Sequence, residues 1–261
     1  RDPEMSRGLG DVYKRQVLNS ALEQAVKAQT IQRNPAKYAK LPSVRVKDIH
    51  PLSPAEIVSF VAAAQDSTYY APLMCCLFLG LREGEALGLA WEHIDFENGK
   101  AVICQQLQKD KNKNGKFYIQ QGTKNGQSRI LDVPDFLLEI LQDERQRQMR
   151  AHLAAGPAWQ NTWGLCFTDA IGQCINPHPL WANFKRIAAS IGLPDARVHD
   201  LRHTSATLAL INGDDVKTVQ ANLGHATAAF TLQRYVHASE EMKRASANRM
   251  QQFFIDNVKK A

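Results

Sequence analysis

Long apolar runs are missing from these 261 residues. None approaches the roughly 20 consecutive residues that span a bilayer, and the N-terminus lacks the charged-then-apolar order of a secretion signal. A soluble, cytoplasmic chain with no membrane partner is expected. Cysteine is scarce and unpatterned: Cys75, Cys76, Cys104, Cys166 and Cys174 are odd in number and form no C-x-x-C pair. That argues against structural zinc and against a disulfide framework, in keeping with a reducing compartment. Internal repeats and low-complexity tracts are absent, as is any carboxylate cluster suited to a pair of metal ions. Nor is the charge extreme. A net +6 and a pI near 9.1 permit a nucleic-acid partner through phosphate neutralisation without establishing one. What is present is a 44% hydrophobic composition, enough for a core in one large domain or a domain with an attached piece.

Residues 1–16 have no apolar period and read as a non-native or scar segment, outside the fold. From Val17 to about Gln32, Leu18, Ala21, Leu22, Ala25 and Val26 follow helical spacing. The proline-punctuated basic stretch at 34–50 then reads as a linker, leaving 17–33 as a lone helix and 51–261 as the main domain. There, Ser53 and Glu56 form a capping box with Pro54 at the first helical position of PAEIVSFVAAA. A second apolar helix, APLMCCLFLG, leads into LREGEALGLAW. The period then changes. HIDFENGKAVICQQLQ, GKFYIQQGTK and QSRILDVP are alternating or β-branched runs separated by Asn-Gly turns, which predict a small antiparallel sheet. From Asp135 onward the pattern is helical: DFLLEILQDERQRQMRAHL, HPLWANFKRIAASIG, HDLRHTSATLALING, DDVKTVQANLG, TAAFTLQRYVHA and an amphipathic helix from Ser239 to Val258, interrupted by a short hairpin at GLCFTDAIGQCI. The expected fold class is α+β, mainly helical, with a small antiparallel sheet.

His199-Asp200-Leu201-Arg202-His203 nearly spells the H-E-x-x-H zinc signature. On a helix, His199, Arg202 and His203 share one face, so a dication held by the histidines would meet a fixed guanidinium. Asp200 is also one methylene shorter than the glutamate that the signature uses as base. No metal is expected there. An anion fits better, since arginine offers a planar fork of donors to phosphate oxygens and keeps its charge, while histidine beside it donates or shuttles a proton. The plainer alternative has His199 capping the helix and Arg202 in a surface ion pair.

Other segments extend this pattern. Arg82 follows an apolar helix in FLGLREGEALGLAW; Lys124 opens an Asn-Gly turn in GTKNGQSRILDVP; His225 follows Gly224 in NLGHATAAF; and Tyr235 comes one short helix later. At this order and spacing the motifs L-x-L-R-x-G-E, the hairpin lysine, H-x-L-R-H-T (199–204), L-G-H (223–225) and T-x-x-x-Y-x-H (231–237) resemble the catalytic domain of the tyrosine recombinases, or phage integrases. The resemblance covers about residues 50–260, and it makes the helix at 17–33 look like the end of a core-binding domain.

The resemblance implies a site-specific DNA recombinase that works through a 3′-phosphotyrosine, for integration or excision of a mobile element in the bacterial cytoplasm. Arg82 and Arg202 would clamp the scissile phosphate, His199 assist proton transfer, His225 donate to a phosphate oxygen, Lys124 protonate the departing 5′-oxygen and Tyr235 attack, with Glu85 supporting. Lys109, Lys111, Lys113 and Lys116 compete with Lys124. No cofactor is implied. Partners would be double-stranded DNA attachment sites, further copies of the chain in a tetrameric synapse, and accessory DNA-bending or excision proteins. A Xer-like resolvase of replicon dimers would use the same residues, and a non-catalytic DNA-binding protein could keep the scaffold. Trp91, Trp159, Trp163 and Trp181 read as core or rim packing, His237 as local structure, and Asp214 and Asp215 as caps of the next helix. The stripe Met242, Ala245, Met250, Phe253, Phe254 and Val258 would pack on its own domain or on a neighbouring protomer.

Overall fold

Seven consecutive side chains, Ala71 to Leu77, are buried on one short helix, α3 (Tyr70–Phe78). A helix apolar on every side must be surrounded, and α3 packs against three neighbours, α4 (Glu83–Leu87), α5 (Asp135–Ala155) and α7 (Val198–Asn212). The computed structural model describes residues 17–37, 51–110, 115–122 and 128–224. The chain divides into two compact units, Arg1–Asp48 and Ile49–Ala261.

In the first unit residues 17–27 are helical (α1), shorter than the apolar spacing predicts, because the chain turns at Gln29 with φ +56. Asn34 closes the turn, donating to the Asn19 carbonyl and side chain and to Glu23.

In the second unit α2 (Pro54–Ala64) begins as predicted: the Glu56 carboxylate accepts from the Ser53 amide at 2.7 Å. Helices α6 (Pro177–Ser190) and α8 (Val216–Leu223) also occupy predicted segments. Asp215 alone caps α8, accepting from Lys217 and Thr218 amides. Helix α5 buries Leu137, Leu141, Glu144 and Gln148 along one stripe. Gln148 donates to the Leu165 and Cys166 carbonyls and accepts from Trp91, anchoring the 164–175 segment. That segment holds the predicted hairpin as one isolated bridge, Thr168↔Cys174, and a second, Ala90↔Leu165, ties it to the residue before Trp91. Trp91 packs inward, whereas Trp163 and Trp181 are exposed on the rim. All five cysteines are free thiols, and burial pushes Cys75 up to about 12.

The strands form two sheets rather than one. β1 (Ile94–Asp95), β2 (Lys100–Ile103) and β5 (Arg129–Asp132) are ordered β1-β2-β5, and β3 (Gln105–Lys109) pairs with β4 (Phe117–Gln121), all antiparallel. The chain leaves the first sheet at Cys104 and enters the second, so the ladder breaks within ICQQ, where the sequence reads continuously. Among the described residues no helix is long and apolar enough to cross a membrane.

Candidate active site

Arg82 is held at a helix start. The chain leaves α3 through Gly80, whose φ of +62 is the left-handed region open to glycine, and a Cβ there would stand 2.6 Å from Leu223 Cδ2. Arg82 then takes the extended N-cap position of α4, and Glu85 reaches back to accept from its amide at 3.1 Å and from its Nη1 at 2.5 Å. Gly84 and Gly88 let α4 lie directly on β3. A Cβ on Gly88 would be 2.6 Å from Leu107 N, and the Gln105 side chain donates to the Gly88 carbonyl at 2.7 Å.

Helix α7 supplies the second arginine. Its N-cap is Arg197, whose amide and guanidinium donate to Asp200. The cap is therefore not His199, and the acid of the zinc-like pattern is already committed. Among the described residues no group of three His, Cys, Asp or Glu side chains is placed to hold a metal ion. Arg202 is 1% exposed. Its Nη1 donates to the Gly80 carbonyl at 2.6 Å, its Nη2 to the Leu223 carbonyl, and it stands 3.8 Å from Glu85 Oε2. The surface ion pair weighed for it is thus replaced by a buried one. Thr204 fixes the helix to the start of the unit, accepting from the Leu52 amide and donating to the Asp200 carbonyl. His199 lies edge-to-face on His203, ring centroids 4.8 Å apart.

Arg129 on β5 completes the cluster, and nothing in the sequence reading assigned it. Its Nη2 donates to Glu85 Oε2 at 2.7 Å, its Nη1 to Oε1 at 3.3 Å, and its Nε to the Asn222 carbonyl at 2.7 Å. Strand alternation turns Arg129 and Leu131 inward and leaves Ile130 64% exposed. The signal available in the sequence was an arginine at an inward strand position, legible only once the pairing Ile103↔Arg129 is known. Arg202 and Arg129 also satisfy the last carbonyls of α8, where orphan acceptors and the negative end of the helix dipole favour cations.

The electrostatics follow from this packing. Burial alone would raise the Glu85 carboxyl, but the hydrogen bond and charge of Arg129, and then the amide and charge of Arg82, outweigh it and hold Glu85 at about 2. Three guanidinium groups around one carboxylate leave a local excess of positive charge. Burial raises the carboxyl of neighbouring Glu83, whose Oε1 has no hydrogen-bond partner. His199 stands on the open side of α7. The surrounding protein, then the charges of Arg202, Arg82 and Arg197, lower its pKa to about 4 against the opposing Asp200. Water at the ring moderates the burial contribution, yet the nearby cations act in the same direction, so the imidazole is neutral at pH 7.

The structure therefore brings Arg82, Glu85, His199 and Arg202 together. Lys124, His225 and Tyr235 lie outside the described residues, as do Lys111, Lys113, His237, the short helix predicted around Tyr235 and the stripe from Met242 to Val258. Lys109 and Lys116 are exposed on the β3–β4 hairpin.

The model of the phage integrase family matches residues 50–242, which hold every residue of this cluster. The chain belongs to that family. Among its relatives a tyrosine recombinase XerC-like protein of Caldanaerobacter subterraneus is 29% identical, over 91% of this chain and 64% of its own length. An integrase of Saccharopolyspora erythraea is 25% identical, over 90% of this chain and 64% of its own. The chain thus spans just under two thirds of these relatives. Among solved structures, a Tn1549 transposon integrase in complex with a circular intermediate DNA matches with a TM-score of 0.75 at 20% identity, covering 91% of this chain and 78% of that one. A XerA recombinase matches with a TM-score of 0.59 at 19% identity, covering 92% and 76%. These last two likenesses show that the mainly helical fold with small antiparallel sheets is that of the phage integrases.

Proposed function

We propose that the chain carries the catalytic centre of a site-specific DNA recombinase that cuts and rejoins DNA through a 3′-phosphotyrosine on Tyr235, in the integration or excision of a mobile element. The observation that carries this reading is the buried carboxylate of Glu85 with three arginines around it, next to a neutral histidine. A phosphodiester is already anionic, and its five-coordinate transition state gathers more charge on the non-bridging oxygens. Fixed donors at such a point are worth roughly 3 to 4 kcal/mol each. Arg82, whose side chain is 22% exposed, meets the phosphate first. Arg202 adds charge from beneath, already oriented by two carbonyls, and His225 is a further donor. Tyrosine, with a free pKa near 10, attacks as it loses its proton, and neutral His199 is in the right state to accept it. Lys124 protonates the departing 5′-oxygen. The phosphotyrosine conserves the diester energy, so another strand's 5′-hydroxyl reverses the step without ATP.

On this reading residues 17–33 are the end of a core-binding domain joined by the linker at 34–50, and the working form is a tetramer on two attachment sites, assisted by DNA-bending or excision proteins. The name of the Caldanaerobacter relative keeps resolution of replicon dimers as the second reading, separable by the DNA site alone. The test is covalent trapping on nicked duplex carrying the element's candidate attachment site, without divalent metal. A denaturation-resistant adduct that vanishes with Tyr235→Phe supports the reading, and loss with Lys124→Ala supports the acid. No adduct, even with the N-terminal region of the longer relatives restored, would leave a DNA-binding scaffold instead.

A further inference from the structure

The geometry points to Arg129 as a positioning residue of this site: one guanidinium that fixes Glu85, and through it Arg82, to the end of the helix that leads into His225. The inference rests on the recombinase reading for its consequence, but its structural content stands without it. Three donor contacts of Arg129 span two elements. Two N–H groups form a fork on the Glu85 carboxylate, and Nε reaches the Asn222 carbonyl. The side chain is 9% exposed, and its partner Glu85 is fully buried at the side chain. Gly224 lies against it; a Cβ there would be 3.3 Å from Arg129 Nη1, and the glycine keeps the chain close as it leaves α8.

Glu85 itself cannot do this. Both of its oxygens are engaged by Arg82 and Arg129, and it has no reach to α8. Arg202 joins α8 to Gly80 by hydrogen bonds and meets Glu85 as an ion pair at 3.8 Å. Arg129 is thus the described group that ties the N-cap of α4 and the C-terminus of α8 through direct hydrogen bonds to Glu85 and Asn222. A lysine would keep the charge, yet its compact ammonium lacks the planar fork and cannot span both partners in the same way.

The test compares full-length wild type, Arg129→Lys, Arg129→Gln, Glu85→Gln and the Glu85→Gln/Arg129→Gln double variant. Amide hydrogen exchange comes first, because it needs no activity. In both Arg129 variants the Arg82 amide and the amides of residues 223 and 224 are expected to lose protection together, while α2 and α5 keep theirs. Loss at only one end, or at neither, overturns the inference. On the nicked duplex, adduct formation at saturating DNA should fall on the order of 100-fold in Arg129→Gln, as for a small misplacement of reacting groups, with duplex affinity little changed. Arg129→Lys should recover thermal stability but not the rate, and the double variant should be no slower than Glu85→Gln alone, since the two residues act as one unit. Full rate in Arg129→Lys would mean charge alone suffices, and multiplicative losses would mean independent roles; either overturns it. A wild type that forms no adduct sinks the recombinase reading, and the exchange pattern then decides the inference about Arg129 by itself.

Discussion

Helices α2 and α4 start the same way and end up doing different work. Each has a glutamate at the third helical position that returns to the N-cap amide, Glu56 to Ser53 at 2.7 Å and Glu85 to Arg82 at 3.1 Å. Glu56 is half-buried at the rim of the unit and also accepts from the Ser53 hydroxyl. Around Glu85 there are Arg82, Arg129 and Arg202. A cap at the surface only starts a helix. The same cap buried among cations becomes the anchor of a charged site, because its carboxylate is needed to hold like charges together in a poorly screened interior.

The comparison breaks most sharply at the buried end. Glu85→Gln leaves three guanidiniums without their counter-charge and should cost about 3 to 5 kcal/mol in urea unfolding, with slower but measurable adduct formation. Acid sharpens the same point. Glu85 has its pKa at about 2 rather than 4.5, so its contribution is complete above pH 4.5 and is lost as pH falls toward 2. The stabilities of wild type and Glu85→Gln should converge over that interval in acid denaturation, and curves that stay parallel would refute the assignment. Next comes Gly88→Ala, whose Cβ would press on β3 at 2.6 Å from Leu107 N; overpacking predicts about 1 to 3 kcal/mol in thermal unfolding. Smallest is Glu56→Gln, expected to change stability by under about 1 kcal/mol and to leave adduct formation unaltered.

The difference between the two caps also marks what the sequence could tell. Ser53 and Glu56 announce a helix start because serine is a familiar capping residue. Arg82 and Glu85 do not, nor do Arg197 and Asp200 at the start of α7, since the N-cap there is an arginine. Helices with strong periodicity, α2 and α5 to α8, lay where the apolar spacing put them, for their buried faces are written in consecutive turns. The division of the strands into two sheets was hidden, because the break at Cys104 depends on where Gly84 and Gly88 let α4 settle on β3. Arg82, Glu85, His199 and Arg202 were legible as motifs. That they meet was not, and Arg129 was not legible at all: its role depends on two partners, one 44 and the other 93 residues away.

Arg202, with 1% of its surface exposed, has a further consequence. Mobile ions cannot approach a charge enclosed in protein, and the Debye length of about 8 Å at physiological ionic strength governs only what water reaches. On the recombinase reading, added salt is therefore expected to loosen the grip on DNA through the exposed lysines and arginines while leaving the rate of the chemical step inside an assembled complex almost constant. A salt titration would then separate capture of the duplex from the reaction upon it.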